Sequence, residues 1–229
     1  MTNPGIVRHP SAPQADPSTI AKLRTIAVAL LSDQLHRSCG SIGLRPYHSP
    51  APMAGTAVTV KTRGGDNLVI LRAYDFCRPG DVMVVDAGGD TTNALVGGIM
   101  TFAAASLGLA GMVLDGAIRD AAEIGARAFP VYARGVNHRG PYKDGPGEIN
   151  VPVTVGGMVV SPGDIIVGDQ DGLLAFQPAL AASIIEKALA QHQKEEAIMQ
   201  AIREGRWDRS FVDALEARRA NWGVFSPRL

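Results

Sequence analysis

A layered α/β domain is the fold class that this chain of 229 residues predicts. Three observations carry the reading. Short strands and helices alternate from about residue 57 to residue 133. Two of those strands, 82–85 and 111–114, contain no charge, as strands buried on both faces do. After residue 151 strands alone follow one another, separated by turns of GG, SPGD and DQDG. Alternation followed by strands fits stacked layers better than a bundle.

Each element has its own local signal. Residues 1–15 are Pro-rich and aperiodic, which reads as a flexible N-terminal arm. Asp16-Pro17 is a helix start, and Ile20, Leu23, Ile26, Ala27, Leu30 and Leu31 recur at helical spacing to about Arg37, before Gly40. Residues 41–56 hold three prolines and read as a loop, followed by a strand over 57–62. Asp66 caps a short helix over 67–76. The strand 82–85 ends in DAGGD, whose Asp86 and Asp90 suit turn and cap positions. A helix rich in small residues is expected over 93–107, and Asp115-Gly116 turns the strand 111–114 into a polar corner. From Arg119 a short helix reaches Arg127, and a strand follows over 129–133.

Residues 134–150 form a polar loop long enough to carry function. The strands 151–155, 158–160, 164–167 and 173–176 suggest a meander, closed by a helix over 178–203. One domain over 16–205 is expected, with a tail over 206–229 that carries Trp207, Phe211, Trp222 and Phe225 and could dock on a neighbouring subunit.

Composition excludes several functions. Lys plus Arg and Asp plus Glu both total 22, so no basic field draws in nucleic acid or an anionic membrane. No apolar run approaches the ~18 residues of a membrane span, and MTNPGIVRHPSAPQADPS has no apolar signal-peptide core. Cys39 and Cys77 form no metal or redox spacing. A cytoplasmic protein is expected. No GxGxxG, GxSxG or Walker A motif is present.

The chemistry concentrates in Gly97–Glu123, GGIMTFAAASLGLAGMVLDGAIRDAAE. The peptide N–H groups of Gly97, Gly98, Ile99 and Met100 open a helix and are little shielded by the two glycines, so an anion can approach them. Arg119 offers a planar fork for a carboxylate. Asp120 is a hard oxygen ligand suited to Mg²⁺ or Mn²⁺. Glu123 lies at i+3 from Asp120, on the same helix face. Together these groups suit a small keto acid held on a divalent cation.

Three segments, VVDAGGDTTNALVGGIM, VLDGAIRDAAEI and GPGEINVPVTVGGMVVSPGDIIVGDQDG, resemble the class II 4-hydroxy-4-methyl-2-oxoglutarate and 4-carboxy-4-hydroxy-2-oxoadipate aldolases. That family shares a superfamily with the regulator of ribonuclease E activity. Its signature is a Gly, twenty residues, Arg-Asp, two residues and an acid, which Gly98, Arg119, Asp120 and Glu123 match.

The resemblance implies a three-layer β/β/α swivelling domain with N- and C-terminal helices, in a homotrimer or homohexamer with sites at subunit interfaces. It implies a retro-aldol reaction on a 4-hydroxy-2-oxo di- or tricarboxylic acid, releasing pyruvate, with Asp120 on the metal and oxaloacetate decarboxylation as a side activity. Lys143 falls in the segment resembling the active-site lysine region, and Glu195 in HQKEEAI matches a glutamate that reaches the neighbouring subunit's site. Family members often carry an acid just after the loop glycine. Here that position is Gly98, so the acid or base has to come from Asp86, Asp90, Glu123 or a neighbour's Glu195. A Schiff-base role for Lys143, a non-catalytic regulator of an RNA-processing enzyme, and a dedicated decarboxylase are the alternatives.

Overall fold

The computed structural model describes residues 5–37 and 40–219. They fall into two units, residues 1–188 and 189–229. In order the elements are β1 (Ile6–Arg8), α1 (Pro17–Leu23), α2 (Val28–Gln34), β2 (Arg45–Pro46), β3 (Met53–Thr62), α3 (Leu68–Ala73), β4 (Asp81–Asp86) and β5 (Ala94–Val96). They continue as α4 (Gly98–Ser106), β6 (Gly111–Ile118), α5 (Ala121–Gly125), β7 (Val131–Val136), β8 (Gly147–Ile149), β9 (Val153–Val155) and β10 (Met158–Val160). The last are β11 (Ile165–Gly168), β12 (Leu173–Phe176), α6 (Ala181–Arg203) and α7 (Ser210–Arg219).

The first unit has the expected three layers. Its main sheet runs β1-β8-β3-β4-β6-β7-β2, with β3, β4, β6 and β7 parallel to their neighbours in turn. Side chains alternate across its central strands. Met83 and Val85 of β4 and Met112 and Leu114 of β6 pack under α3, α4 and α5, against Val69, Ile70, Ala104 and Ile124. Val82, Val84 and Val113, on the opposite face, pack against the β9–β10 ribbon through Val153, Val155, Met158 and Val160. A third cluster sets α1, α2 and the start of α6 against β11 and β12.

Several local expectations are corrected. The first helix is two, α1 and α2. The side chain of Asp16 caps α1, but α2 has no cap from its own sequence. Its Val28 N–H donates instead to Asp169, 2.8 Å away and 141 positions on. The strand expected over 57–62 begins at Met53, because Met53 to Thr56 pair with β11. Ala94–Val96, read as helix, is β5, and β6 runs on through Asp115 and Gly116 to Ile118. The loop over 134–150 contains the end of β7 and the strand β8. The late strands do not form one meander: β9 and β10 make a separate ribbon, and β11 joins β3. Within the expected arm, Ile6–Arg8 pairs in parallel with β8.

The second unit holds the later part of α6 and the short α7, with Ile198, Met199, Phe211 and Leu215 exposed. Arg209 lies over the Trp207 ring, 5.4 Å from its centroid. Trp222, Phe225 and Cys39 lie outside the described residues. No helix among the described residues is long and apolar enough to cross a membrane.

Candidate active site

The site is assembled by a strand pairing. β5 runs parallel to the far end of β6, Ala94 beside Ala117 and Val96 beside Ile118. The Arg119 N–H donates to Val96 O at 3.0 Å. Two chain segments therefore leave the sheet side by side, Gly97-Gly98 from β5 and Arg119-Asp120 from β6. Each starts a helix, α4 and α5.

Asp120 stands in the left-handed region, φ 58° and ψ 38°. For a residue with a Cβ that conformation costs on the order of 1 kcal/mol, and such outliers collect at functional sites. It turns the carboxylate away from α5 and toward α4, where Oδ2 accepts from the Gly98 N–H at 2.9 Å. A carboxylate at the start of α4 also meets the positive end of that helix dipole. Of the amides expected to face a substrate, that of Gly98 is thus donating to Asp120. Arg119 Nε lies 3.8 Å from the same oxygen, with both side chains more than two-fifths exposed, so the pair itself adds little stability.

At both positions the space a side chain would take is already filled. A Cβ on Gly97 would run into the Asp120 carboxylate and lie 2.9 Å from Arg119 Cγ. A Cβ on Gly98 would overlap the carboxylate of Glu123, whose Cδ would be 2.5 Å away. The volume a side chain at position 98 would fill is therefore occupied by Glu123. That glutamate pairs with Arg127, which also donates to Gly98 O at 3.2 Å and lies over the Phe102 ring at 5.2 Å. Arg127 was not singled out from the sequence, and it ties α5 to the first turn of α4.

The loop over 134–150 folds onto the same place. Arg119 Nη1 comes within 3.0 Å of where a Cβ on Gly140 would stand. The loop is anchored on Asp66, which is wholly buried. Asp66 Oδ2 accepts from the Asp144 N–H at 2.8 Å, the Gly145 N–H at 3.1 Å and Arg63 at 3.0 Å. Its Oδ1 accepts from the Leu68 N–H at 3.0 Å, although the N-cap of α3 is Asn67 and not the expected Asp66. Lys143 is carried on this anchored segment and is exposed, with no hydrogen bond or ion pair among the described residues.

A cavity of about 50 Å³ lies at the centre, lined by Asn67, Val96, Gly97, Ile99, Met100, Arg119, Asp120 and Pro141. Asn67 and Pro141 were not identified as site residues from the sequence, because Asn67 meets Leu95 and Met100 only in the folded chain and Pro141 arrives on the distant 134–150 loop. Asp115, expected at the polar corner, is instead buried in β6, where it pairs with Arg134 and accepts from the Gly156 N–H at 2.9 Å. That bond raises the pKa of the Arg134 guanidinium. Asp86 and Asp90 are turn acceptors, for the Gly88 N–H at 2.9 Å and the Thr92 N–H at 2.7 Å. Glu195 belongs to the second unit, where it accepts from Gln191 at 2.9 Å.

Among the described residues no group of three or more His, Cys, Asp or Glu is arranged to hold a metal. Asp120 alone, a half-exposed carboxylate with one oxygen not engaged by Gly98, fits a hard cation that keeps most of its waters, as Mg²⁺ does. It does not fit a closed zinc cage.

A family model described as RraA-like, Aldolase/RraA, matches residues 28–175. A protein of Halalkalibacterium halodurans provisionally named 4-hydroxy-4-methyl-2-oxoglutarate aldolase is 38% identical over 190 residues, covering 82% of this chain and 90% of its own. A solved structure titled as the RNA-processing inhibitor RraA from Thermus thermophilis is 31% identical with a TM-score of 0.61, over 66% of this chain and 92% of that one. An unusual member of the RNase ES inhibitor RraA family from Streptomyces coelicolor is 26% identical with a TM-score of 0.73, over 81% of this chain and 97% of that one.

Proposed function

Because the chain belongs to the RraA-like Aldolase/RraA family, we propose that it is a divalent-metal-dependent aldolase. It cleaves a 4-hydroxy-2-oxo di- or tricarboxylic acid to pyruvate and a second keto acid. The observation that carries the reading is Asp120, held left-handed beside Arg119 on the wall of the cavity, with its carboxylate on the Gly98 amide.

Asp120 is the residue that would hold Mg²⁺ or Mn²⁺, and the bound cation supplies Lewis-acid polarisation of the substrate's C2 carbonyl. Arg119 binds the C1 carboxylate through its fork and offers positive charge to the C2 oxygen. A base takes the 4-hydroxyl proton, the C3–C4 bond breaks, and its electron pair is delocalised onto the C2 oxygen as pyruvate enolate. Protonation at C3 then yields pyruvate. Glu123, whose carboxylate takes the place over Gly98, and Glu195 from a neighbouring copy are the acids assigned to the proton transfers. Lys143, exposed on its anchored loop, is assigned to a second carboxylate of the substrate. Oxaloacetate decarboxylation passes through the same enolate and is the expected side activity. The exposed Ile99 and Phe102 on α4, beside the site, support the covering of this face by another subunit, and a homotrimer or homohexamer with sites at subunit interfaces is the assembly proposed.

The test is pyruvate release, coupled to lactate dehydrogenase, from 4-carboxy-4-hydroxy-2-oxoadipate, 4-hydroxy-4-methyl-2-oxoglutarate and oxaloacetate, each with Mg²⁺ and with EDTA. Metal-dependent release from either hydroxy acid is expected. Release from oxaloacetate alone would make the protein a decarboxylase. No release from folded protein would favour the regulator reading, which the likeness to the Thermus inhibitor keeps open.

A further inference from the structure

Asn67 is only 3% exposed, and its amide is half satisfied. Nδ2 donates to Leu95 O at 3.1 Å and touches Met100 Sδ at 3.2 Å. The Leu95 carbonyl fixes the orientation, since the flipped amide would set two acceptors against each other. Oδ1 is shielded from solvent and has no hydrogen-bond partner among the described residues. A buried orphan acceptor is costly and calls for an explanation. This one belongs to a side chain on the wall of the cavity that Arg119 and Asp120 also line.

The rest of that wall selects for acceptors. Arg119 offers only donors, and a cation on Asp120 likewise seeks oxygen lone pairs. The C1–C2 end of a 2-oxo acid, a carboxylate and a carbonyl, presents acceptors only. The unpaired amide oxygen of Asn67, shielded behind that wall, therefore has no use for that end of the ligand. It needs a donor, and the donor a 4-hydroxy-2-oxo acid brings is its 4-hydroxyl. Met100 makes room for the approach. Its thioether lies on the same wall against the same amide, and an unbranched Met side chain repacks at low cost.

We infer that Asn67 Oδ1 is the specificity-determining acceptor for the substrate's 4-hydroxyl in the bound ground state, before that hydroxyl turns its one proton to the base, separating hydroxy acids from otherwise identical acids that lack it. The inference rests on the 4-hydroxy-2-oxo acid reading of this site. A site that hydrogen-bonds a ligand hydroxyl rejects the analogue lacking it, because its own polar group is left unpaired.

Calorimetry with two uncleavable ligands tests it. 2,4-Dihydroxyglutarate and 2-hydroxyglutarate differ only in the 4-hydroxyl, and neither has the C2 carbonyl that retro-aldol cleavage needs. Each C4 epimer is titrated into the full chain in Mg²⁺, with oxalate, which mimics the enolate and has no hydroxyl, as the control. The wild type is expected to bind one dihydroxy epimer at least ~10-fold more tightly than 2-hydroxyglutarate. In Asn67→Ala the preference should shrink to within about twofold, with oxalate affinity kept. Retained oxalate binding reports a folded site, and Asn67→Ser serves if Asn67→Ala loses it.

Equal binding of the two glutarates by the wild type overturns the inference, as does a preference that survives the substitution. Either result leaves the aldolase reading intact if pyruvate is released from the hydroxy acids. An Asn67-dependent preference without turnover would uphold the acceptor and remove the aldolase. Failure of the wild type to bind any of the three ligands would overturn both.

Discussion

Gly97→Ala separates the site from the fold. Gly97 has φ −143°, an extended conformation that alanine adopts freely, so the backbone does not resist the change. Its added methyl group would be 2.9 Å from Arg119 Cγ and 3.1 Å from Nε, and would meet Asp120 Oδ2 well inside the 3.0 Å that real Cβ contacts observe. The Asp120 carboxylate has to retreat by on the order of half an ångström, against the ~0.2 Å tolerance of a metal–ligand distance. Retreat also weakens the bond from the Gly98 N–H, 2.9 Å in the native protein.

Misplacing a reacting group by about 1 Å costs roughly 100-fold, so a shift of about half that should lower kcat/KM for 4-hydroxy-4-methyl-2-oxoglutarate by about 10- to 30-fold. Stability should change little, because Gly→Ala at a compatible conformation gains ~0.4–1 kcal/mol from the unfolded state, which offsets local crowding. The coupled pyruvate assay and a thermal melt on the same preparation read the two effects. Activity within about threefold of wild type would refute the reasoning, because the carboxylate position would then not matter.

Other outcomes follow from the same geometry. Arg119→Lys keeps the charge and loses the fork, and kcat/KM should drop at least ~100-fold in the pyruvate assay. Near-normal turnover would take Arg119 out of the site. Glu195→Ala should lower turnover with an unchanged circular dichroism spectrum and elution volume, and unchanged kinetics would leave Glu195 as a surface residue. Asp66→Ala removes four hydrogen bonds from a buried carboxylate, so urea unfolding should report a loss of about 2–4 kcal/mol. A loss under about 0.5 kcal/mol would mean that the loop does not depend on this anchor.

For Cys77, burial first and nearby Asp81 second push the thiol up to about 12. The neutral form is the one the fold favours, so its contribution to stability is complete below the free-thiol pKa of about 9 and is lost as pH rises toward 12. In a Cys39→Ser background, iodoacetamide at pH 8.5 should label native protein at least ~100-fold more slowly than urea-unfolded protein. Equal rates would show an exposed thiolate.

How much was legible depends on how local each signal is. The uncharged runs 82–85 of β4 and 111–114 of β6 were readable because a stretch covered on both faces disfavours charge. The end of β6 was not. Gly116 reads as a turn, yet it sits inside the strand because Leu95 of β5 crosses it, and a Cβ there would be 2.6 Å from Leu95 Cδ1. Ala94–Val96 is too short for periodicity to tell strand from helix, and only its pairing with β6 decides. The break between α1 and α2 is equally non-local, since the cap on Val28 comes from Asp169.

At the site the division is similar. The Gly-Gly, Arg-Asp and Glu spacing named Gly97, Gly98, Arg119, Asp120 and Glu123 as chemically capable groups, because donor forks, hard oxygens and bare amides are properties of residue types. That Asp120 leans on Gly98, that Glu123 fills the space over it, and that Asn67 carries an unpaired oxygen beside them are properties of distance. The sequence by itself determined the layered fold, its buried strands and the inventory of reactive groups, since each follows from short-range pattern and side-chain chemistry. The tertiary structure alone decided which groups meet, because β5 beside β6 and the 134–150 loop on Asp66 join segments whose separation along the chain leaves no periodic trace.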